Sequence, residues 1–233
     1  MKRDSSGKTL ADYPRPSVAV DTAVLTVAPG GTLEVLLVRR EGARQKDAWA
    51  LPGTFLHEGE RLADAVRRSL EQKAGLRDTR TPRQLHVFDD PGRDDRGRVL
   101  SVAHVVVLPW DVVAAVVEAR PDDVRLRPVT DVGRLRFDHP EIIERAVDEI
   151  RADHRERPDP ERLLAEPFTL PQLRRVHEAV AGRSLQPDSF RRRMTPHLRD
   201  TGETQEGTVG RPAVLYVRAD GGRQGDAAER DPR

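Results

Sequence analysis

The chain has 233 residues, and its 40 lysines and arginines nearly balance its 39 aspartates and glutamates, which leaves a formal net charge of +1. This length allows one large or two modest domains, and the balance excludes a partner selected by overall charge alone. The absence of cysteine excludes disulfides and zinc–thiolate sites. No apolar run approaches membrane-spanning length and no signal-peptide core follows the first residues, so we expect a cytoplasmic protein without a membrane partner.

The first 150 residues carry alternating strand, turn and helix signals. Residues 1–16 are polar and contain two prolines, and we expect a flexible arm there. Apolar residues at helical spacing predict helices at residues 62–74 and about 140–152, whereas residues 110–118 and 124–136 are ambiguous. An order of strands, a helix and further strands predicts an α/β sandwich. The predicted strands are residues 18–27, 33–40, 50–52, 83–89 and 99–108.

A motif spans the loop and helix between the third and fourth predicted strands. Residues 51–60 read LPGTFLHEGE and residues 68–76 read RSLEQKAGL. Glu60, Arg68 and Gly75 fall at the fixed positions of the pattern G-x5-E-x7-R-E-U-x-E-E-x-G-U, where U is a bulky apolar residue. The segment resembles the Nudix box, which implies a Nudix α/β/α sandwich. The alternative is an ordinary amphipathic helix that matches the pattern by accident.

The box lacks the acidic residues that its chemistry needs. Ser69 stands where the pattern has the glutamate after the arginine, and Gln72 and Lys73 stand where it has two adjacent glutamates. These three positions share one helix face, where carboxylates would hold hard divalent cations that clamp a diphosphate and activate water. We therefore expect no metal, no cofactor and no catalytic residue. The alternative is a hydrolase of nucleoside-diphosphate derivatives with relocated metal ligands.

An arginine-rich connection joins the predicted strands at 83–89 and 99–108. Guanidinium groups match diphosphates bidentately, so a cleft without metal can hold a diphosphate through them. The alternative is a polar hairpin tip with solvated charges. Together with one arginine at a strand end and the glutamate of the box, this connection supplies the candidate ligand-binding residues: Arg39, Glu60, Arg93, Asp94, Arg96 and Arg98.

The sequence beyond residue 153 changes in pattern. Prolines and charges at residues 154–167 predict a linker. Thr169 and Gln172 then form a capping-box signal that predicts the start of a helix, which we expect to end at Gly182.

A second helix and a hairpin follow. Pro187 suits the first turn of the helix, and its apolar face consists of Phe190, Met194 and Leu198. A turn-rich stretch at 200–207 precedes a strand-like stretch at 210–218. Helix, turn, helix and hairpin in this order predict a small winged helix-turn-helix domain.

This C-terminal segment is basic, although the whole chain is nearly neutral. Residues 167–218 hold nine arginines against five carboxylates. A recognition helix needs cations for phosphates and arginine forks for guanine edges. The alternative is a solvated face of a helical cap. The candidate DNA-binding residues are Arg191, Arg192, Arg193, Arg199 and Arg211.

Further stretches carry a resemblance to one family. They read DYPRP at 12–16, FDDPGRD at 88–94, FDH at 137–139, FTL at 168–170, FRRR at 190–193 and GRPA at 210–213. With the degenerate box they resemble the Nudix-related transcriptional regulators of the NrtR family, from about residue 12 to residue 218. The resemblance implies a homodimer that represses genes, often of NAD synthesis or salvage, and responds to ADP-ribose or a related nucleotide or sugar metabolite. The two-fold symmetry of a dimer predicts a palindromic operator in double-stranded DNA.

These observations predict a ligand-responsive regulator with a catalytically inactive Nudix domain. We expect an arm at 1–16, the sensing domain at 17–153, a linker at 154–167, the winged helix at 168–218 and a disordered tail at 219–233. Two other hypotheses stay open. One is the hydrolase with an unusual metal site, and the other is a Nudix-like binding module whose tail domain contacts protein.

Overall fold

The computed structural model describes residues 2–40, 49–77, 80–205 and 212–219. Its contacts divide the chain into two compact units, residues 1–26 with 34–148 and residues 27–33 with 149–233. The predicted disordered tail lies outside the described residues, except for Ala219. Within the described part of the chain, every helix is too short or too polar to cross a membrane.

A mixed seven-stranded sheet forms the centre of the first unit. The strands are β1 Ser17–Val27, β2 Leu33–Arg39, β3 Trp49–Ala50, β4 Gly53–Phe55, β5 Arg83–Phe88, β6 Val99–Val107 and β7 Val124–Pro128. Their main order is β3-β2-β1-β6-β5, with β4 paired to β1 and β7 paired to β2. Strands β1 and β6 run parallel, whereas the pairs β1–β4, β2–β7 and β5–β6 are antiparallel.

Three helices accompany this sheet, which confirms the predicted α/β class. They are α1 Leu62–Ser69, which continues as a π-helical turn over Leu70–Ala74, α2 Trp110–Ala119 and α3 His139–Glu156. The predicted apolar stripe of α1 packs into the core, where Val66 and Leu70 are each 1% exposed. Gly75 ends the π turn with a φ of 72°, a conformation that favours glycine.

The two ambiguous stretches resolve into one helix and one short strand. Residues 110–119 form α2, whose Val113 is fully buried, and only residues 124–128 of the second stretch form a strand. Helix α3 extends four residues beyond its predicted end at residue 152. The apolar spacing that located the helix stops at Ile150, so the sequence gives no periodic signal for its last turn.

The second unit has the predicted winged helix-turn-helix order. Thr169 and Gln172 cap the first of its helices reciprocally, as predicted, since Gln172 N donates to Thr169 Oγ1 (3.3 Å) and Thr169 N donates to Gln172 Oε1 (2.7 Å). Gly182 ends that helix with a φ of 67°. The elements are β8 Phe168–Thr169, α4 Leu170–Ala181, α5 Pro187–Met194, a 3-10 turn Thr195–His197, β9 Leu198–Gln205 and β10 Ala213–Arg218, with a sheet order of β8-β10-β9.

The prediction of a turn-rich stretch at 200–207 is wrong for most of its length, because strand β9 runs to Gln205. Antiparallel pairing with β10 overrides the local turn preference of the sequence Asp200-Thr201-Gly202. The turn signal survives as an irregularity in the register opposite Leu215, where Gly202 has a φ of 79° and its N–H binds Asp200 Oδ1 (2.8 Å). The wing tip at 206–211 lies outside the described residues.

The core of the second unit contains the predicted apolar face of α5. Phe190, Met194 and Leu198 are all buried in one cluster with Phe168, Leu173 and Tyr216. Leu198 reaches this cluster from the first residue of β9 rather than from the helix.

Buried rings and one ion-pair network stabilise this unit around the residues before β8. The His154 and His177 rings lie 5.0 Å apart, and the His177 and Phe190 rings also lie 5.0 Å apart. His177 Nε2 accepts a hydrogen bond from Asp159 N (3.2 Å). The fully buried Asp159 carboxylate accepts hydrogen bonds from Leu164 N (2.8 Å) and from Arg218, so the end of β10 is bound to the segment that precedes β8.

Because the His177 ring is buried, we expect the second unit to lose stability in acid. Burial lowers the pKa of His177 from 6.5 to about 3, so the folded ring stays neutral while the unfolded ring binds a proton below pH 6.5. The contribution of His177 to the free energy of unfolding is therefore fully present above pH 6.5. It is lost as the pH falls towards 3, by at most about 1.4 kcal/mol per pH unit. We expect His177→Gln to flatten the decline in unfolding free energy between pH 7.5 and 5. Denaturant titrations measure this decline, with the exposed His57→Gln as the control; equal slopes in parent and His177→Gln would contradict the assignment.

Candidate functional site

A cleft of about 830 Å³ opens in the first unit. Four of the six predicted ligand-binding residues line it: Arg39, Arg93, Asp94 and Arg96. Arg98 instead lines a smaller pocket of about 330 Å³, which shares Phe55, Arg96 and Val99 with the cleft. Glu60 lines neither cavity.

The cleft has an excess of positive charge. Among the described residues, its charged lining consists of the cations Arg39, Arg40, Lys73, Arg93, Arg96 and Arg120 and the carboxylates Asp21, Asp94 and Asp123. Each carboxylate already has a protein partner, so the unbalanced cations favour an anionic ligand.

Arg93 is fixed deep in the wall of the cleft. Its side chain is only 4% exposed, and its Nε donates to Asp138 Oδ2 at 2.6 Å. Asp138 in turn lies at the start of α3, where its carbonyl accepts from Ile142 N (2.8 Å). A guanidinium held in this way is oriented before any ligand arrives, which reduces the cost of binding. A solvated hairpin tip therefore does not describe this part of the connection.

Asp94 orients Arg96 from the same connection. The buried Asp94 carboxylate accepts from Arg96 Nε (2.9 Å) and Nη2 (2.6 Å), and its Oδ1 also accepts from Arg96 N (3.0 Å). These hydrogen bonds from Arg96 lower the pKa of Asp94 to about 2, so the carboxylate is charged at neutral pH. Asp94 therefore acts as a positioning residue for a cation of the cleft.

Aromatic rings lie beneath the arginines of the cleft. Arg96 lies over the Phe55 ring (5.4 Å) and the Phe137 ring (5.8 Å), while Arg40 and Arg136 lie over Phe137 at 5.2 Å and 5.5 Å. Burial, together with Arg136 and Arg96, lowers the pKa of Arg40, which is the effect expected of crowded like charges. Rings and crowded guanidiniums together suit a ligand with an aromatic base and an anionic group.

Phe137 adopts a strained backbone conformation. Its φ of 56° is left-handed, which for a bulky residue costs about 1–3 kcal/mol. Phe137 and Phe55 were not predicted as site residues; of the strand-end arginines Arg39 and Arg40 only one was expected to reach a ligand, and both line the cleft. The FDH stretch at 137–139 was noted, but positive φ at a phenylalanine has no sequence signature.

A buried polar cluster forms the floor beside these rings. Asp21 accepts a hydrogen bond from Ser101 Oγ (2.6 Å), and its Oδ1 lies 3.4 Å from His139 Nε2. Leu51 N donates to His139 Nδ1 (3.3 Å), which leaves the ring proton on Nε2, facing Asp21. Burial raises the pKa of Asp21, but the hydrogen bonds from His139 and Ser101 outweigh it and hold the pKa below its usual value.

Residues 51–60, which include β4 and are here called the box loop, approach this cluster closely at Gly53. Gly53 pairs with Asp21 in the antiparallel ladder of β4 and β1. A Cβ atom at position 53 would lie 2.0 Å from Asp21 Oδ1 and 2.9 Å from Val20 O, so only glycine fits. Asp21 was not predicted as a site residue, because a single aspartate inside a β-branched strand has no motif.

Glu60 and Arg68 hold the box loop on α1. Arg68 Nε and Nη2 donate to the two oxygens of Glu60, both at 2.8 Å. The same guanidinium donates to Thr54 Oγ1 (3.1 Å) and to Phe55 O (2.9 Å). The hydrogen bonds from Arg68 are the main cause that lowers the pKa of Glu60 to about 2. These fixed positions of the motif therefore have a structural role in this chain.

The predicted common face of positions 69, 72 and 73 holds only for the last two. Gln72 and Lys73 are exposed and line the cleft, whereas Ser69 is 1% exposed and does not line it. The helix changes from α to π geometry after Ser69, which alters the angle between successive residues. The Lys73 ammonium donates a hydrogen bond to Gly53 O in the box loop.

The second unit presents four of the five predicted DNA-binding residues to solvent. Arg191, Arg192 and Arg193 are exposed on α5, and Arg199 is exposed near the start of β9. In the ranges that the structure describes, none of the four forms an ion pair with a carboxylate, and Phe190 and Met194 bury the opposite face of α5. Arg211 lies outside the described residues.

Comparisons with known proteins match a different family model to each part of the chain. Residues 17–147 match the model of the NUDIX domain, and residues 160–217 match the model of the NrtR DNA-binding winged helix domain. The chain is 30% identical over 215 residues to the ADPR responsive transcriptional repressor NtrR of Acinetobacter baylyi, covering 88% of this chain and 83% of that protein. It is 31% identical over 137 residues to the ADP-ribose pyrophosphatase of Methanocaldococcus jannaschii, covering 56% of this chain and 73% of the enzyme.

Solved structures of Shewanella oneidensis NrtR are also similar. Its complex with a 27mer DNA gives a TM-score of 0.71 at 33% identity, covering 86% of this chain and 93% of that one. Its NUDIX domain in complex with ADP ribose gives a TM-score of 0.52 at 27% identity, covering 62% and 95%. The chain therefore belongs to the NrtR family of ligand-responsive, DNA-binding transcriptional regulators, with a Nudix domain followed by a winged helix.

Proposed function

We propose that this regulator is a homodimeric repressor whose Nudix cleft binds ADP-ribose or a related nucleotide or sugar metabolite and thereby weakens operator binding. The observation that carries the proposal is the cleft itself, in which oriented arginines and aromatic rings occur together while every carboxylate has a protein partner. The proposed ligand-binding residues are Arg39, Arg93, Asp94 and Arg96. Arg98 acts from the adjoining pocket, and Glu60 contributes only indirectly, by holding the box loop through Arg68.

The chemistry of ADP-ribose matches the cleft in three respects. Its diphosphate suits the guanidinium groups of Arg93 and Arg96, its adenine suits the Phe55 and Phe137 rings, and its size suits a cavity within the usual range of roughly 300–1,000 Å³. The relative from Acinetobacter baylyi is described as ADPR responsive, and the Nudix domain of the Shewanella protein binds ADP ribose. These similarities support ADP-ribose as the first ligand to test.

The proposed DNA-binding surface consists of Arg191, Arg192, Arg193 and Arg199, with Arg211 in the wing. Because Phe190 and Met194 anchor α5 in the core, the arginine face has a fixed orientation. In a two-fold dimer, two such helices read half-sites about 10 base pairs, or a multiple of that, apart. The DNA complex of the Shewanella relative supports this assignment.

A hydrolase is the second candidate function. The similarity to the Methanocaldococcus pyrophosphatase favours it, because that relative acts on ADP-ribose. Against it stand the absence of carboxylates at positions 69, 72 and 73 and the engagement of Glu60 with Arg68. We propose that the Nudix domain of this chain is catalytically inactive.

The arginines of α5 predict a salt-dependent affinity for DNA. Each phosphate contact that is lost should reduce the slope of log affinity against log salt by about one unit. We expect at least one of Arg191→Ala, Arg192→Ala and Arg193→Ala to show this change on a palindromic fragment from the protein's own promoter. Titrations at several salt concentrations measure the slope. The exposed Arg67→Ala in α1 is the charge-matched control, and parental slopes in all three variants would place the recognition surface elsewhere.

ADP-ribose is expected to weaken operator binding by roughly 5–150-fold, the usual range of allosteric coupling. Arg96→Ala should reduce this response and leave DNA affinity without ligand unchanged, because Arg96 lines the cleft and lies outside the winged helix. Gel-shift titrations with and without ADP-ribose measure the coupling, with Arg127→Ala, a half-buried arginine outside the cleft lining, as the control. Binding of ADP-ribose without any change in DNA affinity would refute its role as the effector.

The chain is expected to show no useful pyrophosphohydrolase activity. Without carboxylates at positions 69, 72 and 73, the part of the chain that the structure describes has no cluster of acidic residues or histidines to hold the divalent cations that would activate water. Incubation with ADP-ribose and excess Mg²⁺ or Mn²⁺, followed by chromatography of the products, measures turnover. Metal-dependent turnover near 1 s⁻¹, the low end for ordinary enzymes, would favour the hydrolase if it copurifies with the protein.

A further inference from the structure

The Nudix fold implies a divalent cation, and the residues of this cleft do not fit one. Across residues 2–40, 49–77, 80–205 and 212–219, no group of three or more histidines, aspartates or glutamates is placed to hold a metal ion. The cleft carboxylates are each engaged: Asp21 by Ser101 and His139, Asp94 by Arg96, and Asp123 by Arg120 at 3.4 Å. Among the described residues, the cleft therefore offers no carboxylate without a protein partner as a ligand for a hard cation.

Lys73 occupies one of the positions that the pattern reserves for a carboxylate. It lines the cleft beside Gln72, and its ammonium donates to the carbonyl of Gly53. Gly53 is itself fixed by its close approach to Asp21, so this contact ties the ammonium to a rigid part of the box loop.

We propose that the Lys73 ammonium takes the place of the divalent cation, so that the cleft binds a diphosphate without metal. This inference rests on the proposed ligand-binding function of the cleft and names how the diphosphate is held. Three carboxylates at positions 69, 72 and 73 would repel a diphosphate unless a metal ion lay between them. At the two positions that line the cleft, Gln72 and Lys73 remove two negative charges and add one positive charge. The diphosphate then meets Lys73 directly, together with the oriented guanidiniums of Arg93 and Arg96.

Calorimetric titration of the full-length protein with ADP-ribose tests this role. We expect the parent to bind equally well in excess EDTA and in excess Mg²⁺. Lys73→Gln removes a charged hydrogen bond and should weaken binding roughly 10–150-fold. Lys73→Arg keeps the charge and should retain most of the affinity. Arg67→Gln removes a cation from the same helix outside the cleft lining and should bind like the parent.

The outcomes separate this inference from the proposed effector. Binding of ADP-ribose that requires Mg²⁺, or parental affinity in a folded Lys73→Gln variant, overturns the role of Lys73 and leaves the effector in place. If ADP-ribose gives no heat in either buffer, the effector is wrong, and inorganic pyrophosphate becomes the probe. Pyrophosphate binding in EDTA that Lys73→Gln abolishes then supports the inference, and no pyrophosphate binding to the parent overturns it.

Discussion

The approach of Gly53 to Asp21 is the constraint on which the cleft depends. A glycine is required there because the Asp21 carboxylate occupies the space that a Cβ atom would need. This contact lets β4 pair with β1, and the same carboxylate holds His139 at the start of α3. The box loop, the central strand and the first turn of α3 therefore meet at one buried carboxylate. Its charge is stabilised mainly by hydrogen bonds from Ser101 and His139, with a smaller contribution from the Arg93 guanidinium.

The wall of the cleft that carries Arg93 and Arg96 also depends on hydrogen bonds to carboxylates, because a carboxylate orients each arginine. Asp138 fixes Arg93 and Asp94 fixes Arg96, each through a hydrogen bond of 2.6 Å. A charge-assisted hydrogen bond limits the rotamers of a long side chain before the ligand arrives, and this lowers the entropy lost on binding. Phe137 places its ring beneath Arg40, Arg96 and Arg136. Its backbone is left-handed, so this part of the wall also carries backbone strain. Strain of this kind is commonly found at functional sites.

The sequence predicted elements whose signals are local. The capping box of Thr169 and Gln172, the stop at Gly182 and the apolar spacing of Phe190 and Met194 are all confirmed, because each depends on neighbours within one or two turns. A hairpin was predicted after α5, but the extent of its first strand β9 was not, because the pairing of β9 with β10 is decided by tertiary contacts that outweigh a turn-rich sequence.

The same distinction applies to the cleft. Four of the six predicted ligand residues line it, because three of them lie on one arginine-rich connection that a reader of the sequence can identify. Asp21, Phe55 and Phe137 come from distant parts of the chain. Phe55 and Phe137 lie in the stretches at 51–60 and 137–139, but neither stretch predicts that its ring reaches a cleft, so only the fold brings the three residues together. Glu60 shows the opposite case. It matches a motif position, yet its carboxylate is committed to Arg68.

The altered box and the regulatory role have a common physical logic. A cleft that hydrolysed its ligand would consume the signal that it reads, and a cleft that needed a divalent cation would respond to the metal as well as to the ligand. Under the proposed function, Ser69, Gln72 and Lys73 in place of acidic residues would remove both dependences, while Arg68 and Glu60 keep the loop in place. Occupancy of such a site follows ligand concentration alone. The DNA affinity can then change only by the difference in ligand affinity between the protein's conformations.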